Sequence, residues 1–173
     1  ITVVIEMKKP RIVFSHGQES GPWGTKIKIM NKFVKNMGFE SDSVDYRGIK
    51  DPNERVEKLI DYCSSFSETT LLIGSSMGGH VATAAADKVR AIGLFVLAPA
   101  YYMLGFEELT PEPPKIPICI VHGWQDDIVP IQNSFRFASS CGATIHIIDG
   151  NHRLTENIDE ICNYLKIFLD QYC

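Results

Sequence analysis

The sequence predicts an α/β fold: a doubly wound, mainly parallel sheet of about six strands with helices on both faces. Three observations predict it. Apolar runs of strand length recur at 11–15, 43–46, 70–74, 92–98, 116–122 and 144–148. Helix-length segments separate these runs, and the runs are nearly continuous in Val, Ile and Leu. Such runs are typical of parallel strands that are buried on both faces.

Three of the intervening segments carry helix signals at their ends. The first helix follows Pro22 and stops at Gly38, the second begins with the capping pair Asp51 and Pro52, and Thr155 is the expected N-cap of the last. Apolar residues repeat at helical spacing in each: Ile27, Met30, Val34 and Met37 in the first; Val56, Leu59, Ile60 and Cys63 in the second; Ile158, Ile161, Leu165, Phe168 and Leu169 in the third.

Length and composition favour one globular domain over residues 1–173, with 1–9 as an N-terminal extension or an edge strand. The net charge is -4 and the basic residues are scattered, which argues against a nucleic-acid partner. No apolar stretch is long enough to predict a membrane span. Five cysteines without a CxxC pair predict free thiols and a cytoplasmic location. The oligomeric state is left open.

The segment 74–78 reads Gly-Ser-Ser-Met-Gly, a G-x-S-x-G pattern between a predicted strand and a predicted helix. A serine at the tip of such a sharp turn has a strained backbone, and small residues two positions away let neighbouring chain pass. The central Ser76 is therefore the predicted nucleophile, and Ser75 is a poorer candidate. The alternative is a glycine-rich turn that only packs.

A serine hydroxyl needs a base, and the base needs an orienting carboxylate. Asp126 and His152 follow the last two predicted strands, whose carboxyl ends should lie at the same edge of the sheet as Ser76. Asp127 is the rival carboxylate. The remaining histidines have a packing or loop-holding role as the simpler interpretation: His16, His80, His122 and His146.

The oxyanion of an acyl-transfer reaction also needs hydrogen-bond donors. The backbone amide of Met77 is the first candidate, and that of Gln18, in the glycine-containing loop 15–21, is the second; a simple turn is the alternative for that loop. The chain has no phosphate-binding glycine loop, dinucleotide fingerprint or zinc spacing, so the sequence predicts neither nucleotide binding nor a structural zinc site.

The irregular stretch 99–114 follows a predicted strand and contains several prolines, which exclude a long helix. Four of its residues are candidates for a substrate-binding wall, with ordinary packing as an equally favoured alternative. These are Tyr101, Tyr102, Met103 and Leu104.

The segments 74–79, 122–126 and 150–152 resemble the three catalytic segments of the α/β-hydrolase superfamily, and the likeness extends over 11–172. The opening 14–20 is similar to small bacterial esterases of the YqiA type and short carboxylesterases. The resemblance implies hydrolysis of esters or thioesters with small to medium acyl groups, without metal or organic cofactor. It also implies a minimal fold without a cap domain and an open, shallow site. The alternatives are a hydrolase-fold binding protein without turnover, an acyltransferase or a carbon-carbon hydrolase.

Overall fold

The computed structural model describes residues 8–173, which form one six-stranded sheet in the order β2-β1-β3-β4-β5-β6. Every neighbouring pair of strands is parallel. The strands are β1 (Arg11–Ser15), β2 (Ser41–Val44), β3 (Thr70–Ser75), β4 (Ala91–Leu97), β5 (Ile118–Gly123) and β6 (Thr144–Ile148). The predicted fold class is confirmed. The edge strand considered for the first residues lies outside the described part of the chain.

Helices cover both faces of the sheet. They are α1 (Thr25–Asn36), α2 (Pro52–Cys63), α3 (Met77–Ala85), α4 (Ile131–Cys141) and α5 (Ile158–Asp170). Apolar side chains of α1 and α5 share one core with the sheet, and those of α2, α3 and α4 share the other. Residues 8–173 contain no cap domain over the sheet, as expected of a minimal α/β-hydrolase fold.

The two cores follow from the alternation of side chains along each strand. In β1, Ile12 and Phe14 belong to the core under α1 and α5, whereas Val13 belongs to the opposite core. In β3, Leu71 and Leu72 divide in the same way. Because both faces are apolar, the inner strands β1, β3, β4 and β5 are largely buried, and the polar loops at the carboxyl ends of the strands are left to form the site.

The bounds of three predicted elements were wrong by two residues, and the remaining strand ends agree within one residue. The second strand begins at Ser41 and ends at Val44, because among residues 8–173 it pairs with β1 alone and tolerates polar residues. The fifth begins at Ile118, directly after Pro117. The last helix begins at Ile158 with Asn157 as N-cap, since Thr155 lies in a preceding 3-10 turn.

All five cysteines are free thiols. Within residues 8–173, no helix combines the length and apolarity that crossing a bilayer requires.

Candidate active site

Ser76 occupies the tight turn between β3 and α3. Its backbone has φ 54° and ψ -120°, a region that L-residues rarely adopt. The turn is held by hydrogen bonds: the Ser76 amide donates to the Leu97 carbonyl over 2.9 Å, and the Ser76 carbonyl accepts from the amides of Gly79 and Ala100, each over 3.0 Å. The strain is thus maintained by contacts from three segments, and it projects the side chain beyond the sheet.

Two glycines make this turn possible. A Cβ atom at Gly74 would lie 2.5 Å from the carbonyl oxygen of Gly78 and 2.7 Å from the Cα of Gly79. A Cβ atom at Gly78 would collide with the backbone carbonyl of Ser15. Both positions therefore require glycine for steric reasons, as the pattern predicts.

The structure brings Ser76, His152 and Asp126 together at the carboxyl edge of the sheet. The distance from Ser76 Oγ to His152 Nε2 is 3.0 Å, and that from His152 Nδ1 to Asp126 Oδ2 is 2.8 Å. A carboxylate can only accept, so Nδ1 carries the proton of the neutral ring and Nε2 is free to accept from the serine hydroxyl. This is the tautomer that a general base toward Ser76 requires.

Asp126 is held as a carboxylate. Its side chain is fully buried, and its Oδ1 accepts from the amides of Ile128 and Val129 over 2.9 Å and 2.8 Å. Its Oδ2 also lies 2.9 Å from Nε2 of His122. Burial alone raises the pKa of Asp126, but the hydrogen bonds from His122, His152 and the two amides outweigh it and hold the pKa well below its ordinary value.

Asp127, the rival carboxylate, is exposed, and its side chain makes no hydrogen bond to any residue of 8–173. The arrangement therefore favours Asp126 as the partner of His152.

The loop after β1 packs directly against the nucleophile. A Cβ atom at Gly17 would lie 3.4 Å from the Ser75 carbonyl oxygen and 3.5 Å from Ser76 Cβ. Gln18 follows at the exposed tip of this loop. Met77 opens α3, so its amide is one of those at a helix start that have no partner within the helix. The two predicted oxyanion donors thus lie on the two segments that flank Ser76.

A buried arginine holds this loop in place, a role that was not predicted from the sequence. Arg55 donates from Nη1 to the carbonyls of His16 and Gly17, over 3.4 Å and 3.3 Å, and from Nε to the Ile49 carbonyl over 2.8 Å. The guanidinium also lies over the ring of Tyr46, at 5.3 Å. Its partners are all backbone carbonyls of loops, so Arg55 acts through the position of the loop.

The other histidines are engaged within the fold. His16 and His122 are fully buried and bond to neighbouring loops, and His146 stacks on Tyr164 with ring centroids 3.9 Å apart. His80 is half-buried in α3, and burial lowers its pKa. The contact of His122 with Asp126 adds a positioning role that its loop-holding interpretation did not include.

The four residues predicted for a substrate wall divide between core and surface. Tyr101 is fully buried: it stacks on Phe137 at 4.0 Å, and its hydroxyl lies 2.6 Å from Thr83 Oγ1. It is a core residue, which corrects its assignment as a wall. Tyr102 and Met103 are half-buried, and Leu104 is exposed. The amide of Ala100 binds Ser76, so these residues follow a segment that contacts the nucleophile.

A shallow cavity of about 390 Å³ lies beside Asp126 and is lined by Trp124, Ile128, Pro130 and Ile131 among others. A second cavity, of about 320 Å³, lies near the amino ends of β5 and β6, at the edge opposite the three site residues. The first is therefore the nearer of the two to the site, although its lining includes neither Ser76 nor His152.

One cation at the site had no sequence signal. Lys26, in the first turn of α1, donates from Nζ to Ser75 Oγ over 3.1 Å. Burial, followed by the nearby charge of Arg153, lowers the pKa of Lys26 to about 8, against an opposing effect of Asp126. The contact joins residues that are 49 positions apart, so only the fold shows it.

Comparison with known proteins gives one family and several relatives. The family model of phospholipases and carboxylesterases matches residues 1–164. The bovine mitochondrial palmitoyl-protein thioesterase ABHD10 is 24% identical in an alignment that covers 88% of this chain and 70% of that protein.

Solved structures share the fold. A protein from Xanthomonas campestris pv. campestris, described as a hydrolase of the alpha/beta superfamily, superposes with a TM-score of 0.83 at 22% identity, covering 94% of this chain and 99% of that one. Mouse alpha/beta hydrolase domain-containing protein 10 superposes with a TM-score of 0.79 at 20% identity, covering 98% and 93%. At this identity the likeness shows the fold alone.

Proposed function

Since this chain belongs to the phospholipase/carboxylesterase family of α/β hydrolases, we propose that it is a serine hydrolase that cleaves carboxylic esters or thioesters of small to medium acyl groups. The observation that carries the proposal is the pair of hydrogen bonds from Ser76 to His152 and from His152 to Asp126, at 3.0 Å and 2.8 Å. A hydroxyl, an imidazole and a carboxylate in this order form a nucleophile with its base.

The mechanism follows from the protonation states of the three groups. His152 Nε2 takes the proton from Ser76 Oγ as the oxygen attacks the acyl carbonyl, and it returns that proton to the leaving alcohol or thiol. A water molecule, activated by the same nitrogen, then attacks the acyl-enzyme and releases the acid. Asp126 keeps the ring oriented and stabilises its positive charge in both steps.

The negative oxygen of each tetrahedral intermediate is assigned to the backbone amides of Met77 and Gln18. The contact of Gly17 with Ser76 supports this assignment, because it brings the two loops to the same side of the nucleophile. One such donor contributes about 3 kcal/mol to transition-state stabilisation in comparable sites.

Two features support the substrate range. The described residues form no cap over the site, so a substrate reaches Ser76 across an open edge. The bovine relative is named as a palmitoyl-protein thioesterase, which supports including thioesters beside oxygen esters. Acyl chain length is read out with para-nitrophenyl esters from acetate to palmitate and with the matching acyl-CoA thioesters.

A fluorophosphonate probe tests the proposal directly, because it labels a serine only when a base activates it. We expect labelling of the wild-type protein, none in Ser76→Ala, and retained labelling in Ser75→Ala, the matched change at the neighbouring serine. Labelling that survives in Ser76→Ala, or a folded wild-type protein that neither labels nor hydrolyses any ester of the panel, would contradict the proposal and favour a binding protein without turnover.

A further inference from the structure

Lys26 is a cation next to the nucleophile, and no ion pair within the described chain accounts for its position. It is half-buried, and its ammonium contacts the hydroxyl of Ser75, the residue that precedes Ser76. Among residues 8–173 no carboxylate lies within ion-pair distance of its Nζ. It also occupies the first turn of α1, where the helix dipole disfavours a cation.

A second cation lies beside the base of the site. Arg153 directly follows His152, is exposed, and forms no ion pair with any carboxylate of the described chain. Lys26 contacts the residue before Ser76, Arg153 follows His152, and Ser76 and His152 are hydrogen-bonded over 3.0 Å, so the two positive charges belong to one region of the site.

The site's own carboxylate offsets only part of this positive charge and forms no ion pair with either cation. Asp126 already accepts hydrogen bonds at both of its oxygens, from two imidazoles and two amides, and its side chain is fully buried. It therefore has no oxygen left to pair with either cation. Two like charges near each other cost free energy unless an anion lies between or beside them.

On the premise of the proposed function, we propose that Lys26 and Arg153 bind an anionic group, a carboxylate or a phosphate, that the ester or thioester substrate carries near its scissile carbonyl. The ammonium has three donors and spends one on Ser75, so it can bind the anion without giving up its present contact. Charge selectivity would then be a property of this chain's site, added to the triad.

Pairs of substrates with and without an anionic group test the proposal. Para-nitrophenyl butyrate is the neutral reference, mono-para-nitrophenyl glutarate carries a carboxylate on the acyl side, and a carboxy-nitrophenyl butyrate carries it on the leaving group. Butyryl-CoA against S-butyryl-N-acetylcysteamine gives the same comparison for a phosphate-bearing thioester. The quantity compared is the ratio of kcat/KM for the charged substrate to that for its neutral partner.

We expect Lys26→Met and Arg153→Gln each to lower this ratio roughly tenfold for at least one charged substrate, the size of one lost hydrogen bond to a charged group. Lys26→Arg should keep the ratio. The control is Lys28→Met, an exposed lysine of the same helix, which should leave the ratio at its wild-type value.

The pH dependence gives a second readout. The pKa of Lys26 is about 8, so its ammonium is charged at neutral pH and loses its proton above that value. In the wild type the ratio should fall as pH rises through that value, whereas in Lys26→Arg it should stay level. The groups that act on the ammonium are Ser75, which accepts its hydrogen bond, and the charges of Arg153 and Asp126.

Equal losses on charged and neutral esters in Lys26→Met and Arg153→Gln would overturn the proposal and leave Lys26 as a link between α1 and the turn. A wild-type protein that prefers every neutral partner would overturn it as well. Both outcomes leave the proposed function intact, since hydrolysis of the neutral ester is its separate test.

Discussion

Strands β1 and β5 both have a His-Gly dipeptide at their carboxyl ends. The two histidines are equally buried, but they hold different parts of the site in place. Nδ1 of His16 lies 2.7 Å from the Gly17 carbonyl, and its Nε2 accepts from the Tyr46 amide over 2.8 Å. Nε2 of His122 lies between Asp126 Oδ2 and the Val129 carbonyl, at 2.9 Å and 3.0 Å. One ring organises the loop beside the nucleophile, and the other organises the carboxylate.

The difference shows that the surroundings, rather than the dipeptide, decide which protonation states are allowed. His16 has an acceptor at one nitrogen and a donor at the other, so only the neutral ring satisfies both. His122 has two acceptors at Nε2 and the Ser134 hydroxyl at Nδ1, 2.7 Å away, which can donate or accept. The two rings therefore differ in the nitrogen that donates, which is Nδ1 in His16 and Nε2 in His122.

The largest effect on activity is expected when the carboxylate of the loop after β5 is replaced. Asp126→Asn should lower kcat about 10⁴-fold, because an amide can donate to His152 and so favours the wrong tautomer. Asp127→Asn, the matched change one residue on, should stay within about twofold, as expected of an exposed surface change. Initial rates on para-nitrophenyl butyrate measure both, and a greater loss in Asp127→Asn would make Asp127 the orienting residue.

The glycines of the two dipeptides should differ in stability. A Cβ atom at Gly123 would collide with the carbonyl of Gly150, whereas at Gly17 it would meet only ordinary contacts. Gly123→Ala should lower the free energy of unfolding by about 1–3 kcal/mol, the usual cost of overpacking, and Gly17→Ala by less. Urea denaturation measures both variants, and equal stability of the two would show that the loop after β5 relaxes freely.

The smallest expected effect is a difference between the two loops in how their contribution to stability depends on pH. Burial first, and then Arg55, lowers the pKa of His16 against the opposing effects of the Gly17 carbonyl and Asp45. The unfolded chain therefore takes up a proton near pH 6.5 that the folded chain does not, so stability falls as pH drops below that value, by at most about 1.4 kcal/mol per pH unit for one proton. Asp126, whose pKa is also lowered, loses its contribution only at more acidic pH, below about 4.

His16→Gln should reduce the slope of unfolding free energy against pH between about 5 and 6.5, because glutamine does not titrate and can still accept from Tyr46. His80 and His146, whose pKa values are lowered by burial, account for the slope that stays. Urea unfolding at several pH values gives the comparison, and an unchanged slope would mean that His16 is charged in the folded protein.

The sheet was predictable because continuous apolar runs leave few alternatives once they alternate with helices. The elements that were predicted less well have physical explanations. Strand β2 begins with Ser41, Asp42 and Ser43, which lack the apolar signal because within residues 8–173 this strand has a neighbour on one side only. Helix α4 carried a signal that the sequence analysis did not use: buried Ile131, Ser134, Phe137 and Ala138 lie on one helical face.

The site was predictable where chemistry is tied to a strand end. Ser76, Asp126 and His152 each follow a strand, and parallel strands bring their carboxyl ends to one edge. Arg55 and Lys26 were not predictable, because each acts from a helix whose distance to the site depends on packing. Tyr101 was misassigned because an aromatic residue after a strand serves equally well as core, and its stacking on Phe137 decides the matter.

The positive φ of Ser76 makes the requirements of catalysis and of stability conflict at one position. A non-glycine residue in such a conformation costs on the order of 1–3 kcal/mol, and glycine would relieve that cost while removing the hydroxyl. Selection for folding alone would therefore drift toward glycine here. A lineage that keeps the serine therefore has a lower free energy of unfolding than glycine at this position would allow. A relative that no longer hydrolyses a substrate can regain that stability by substituting glycine.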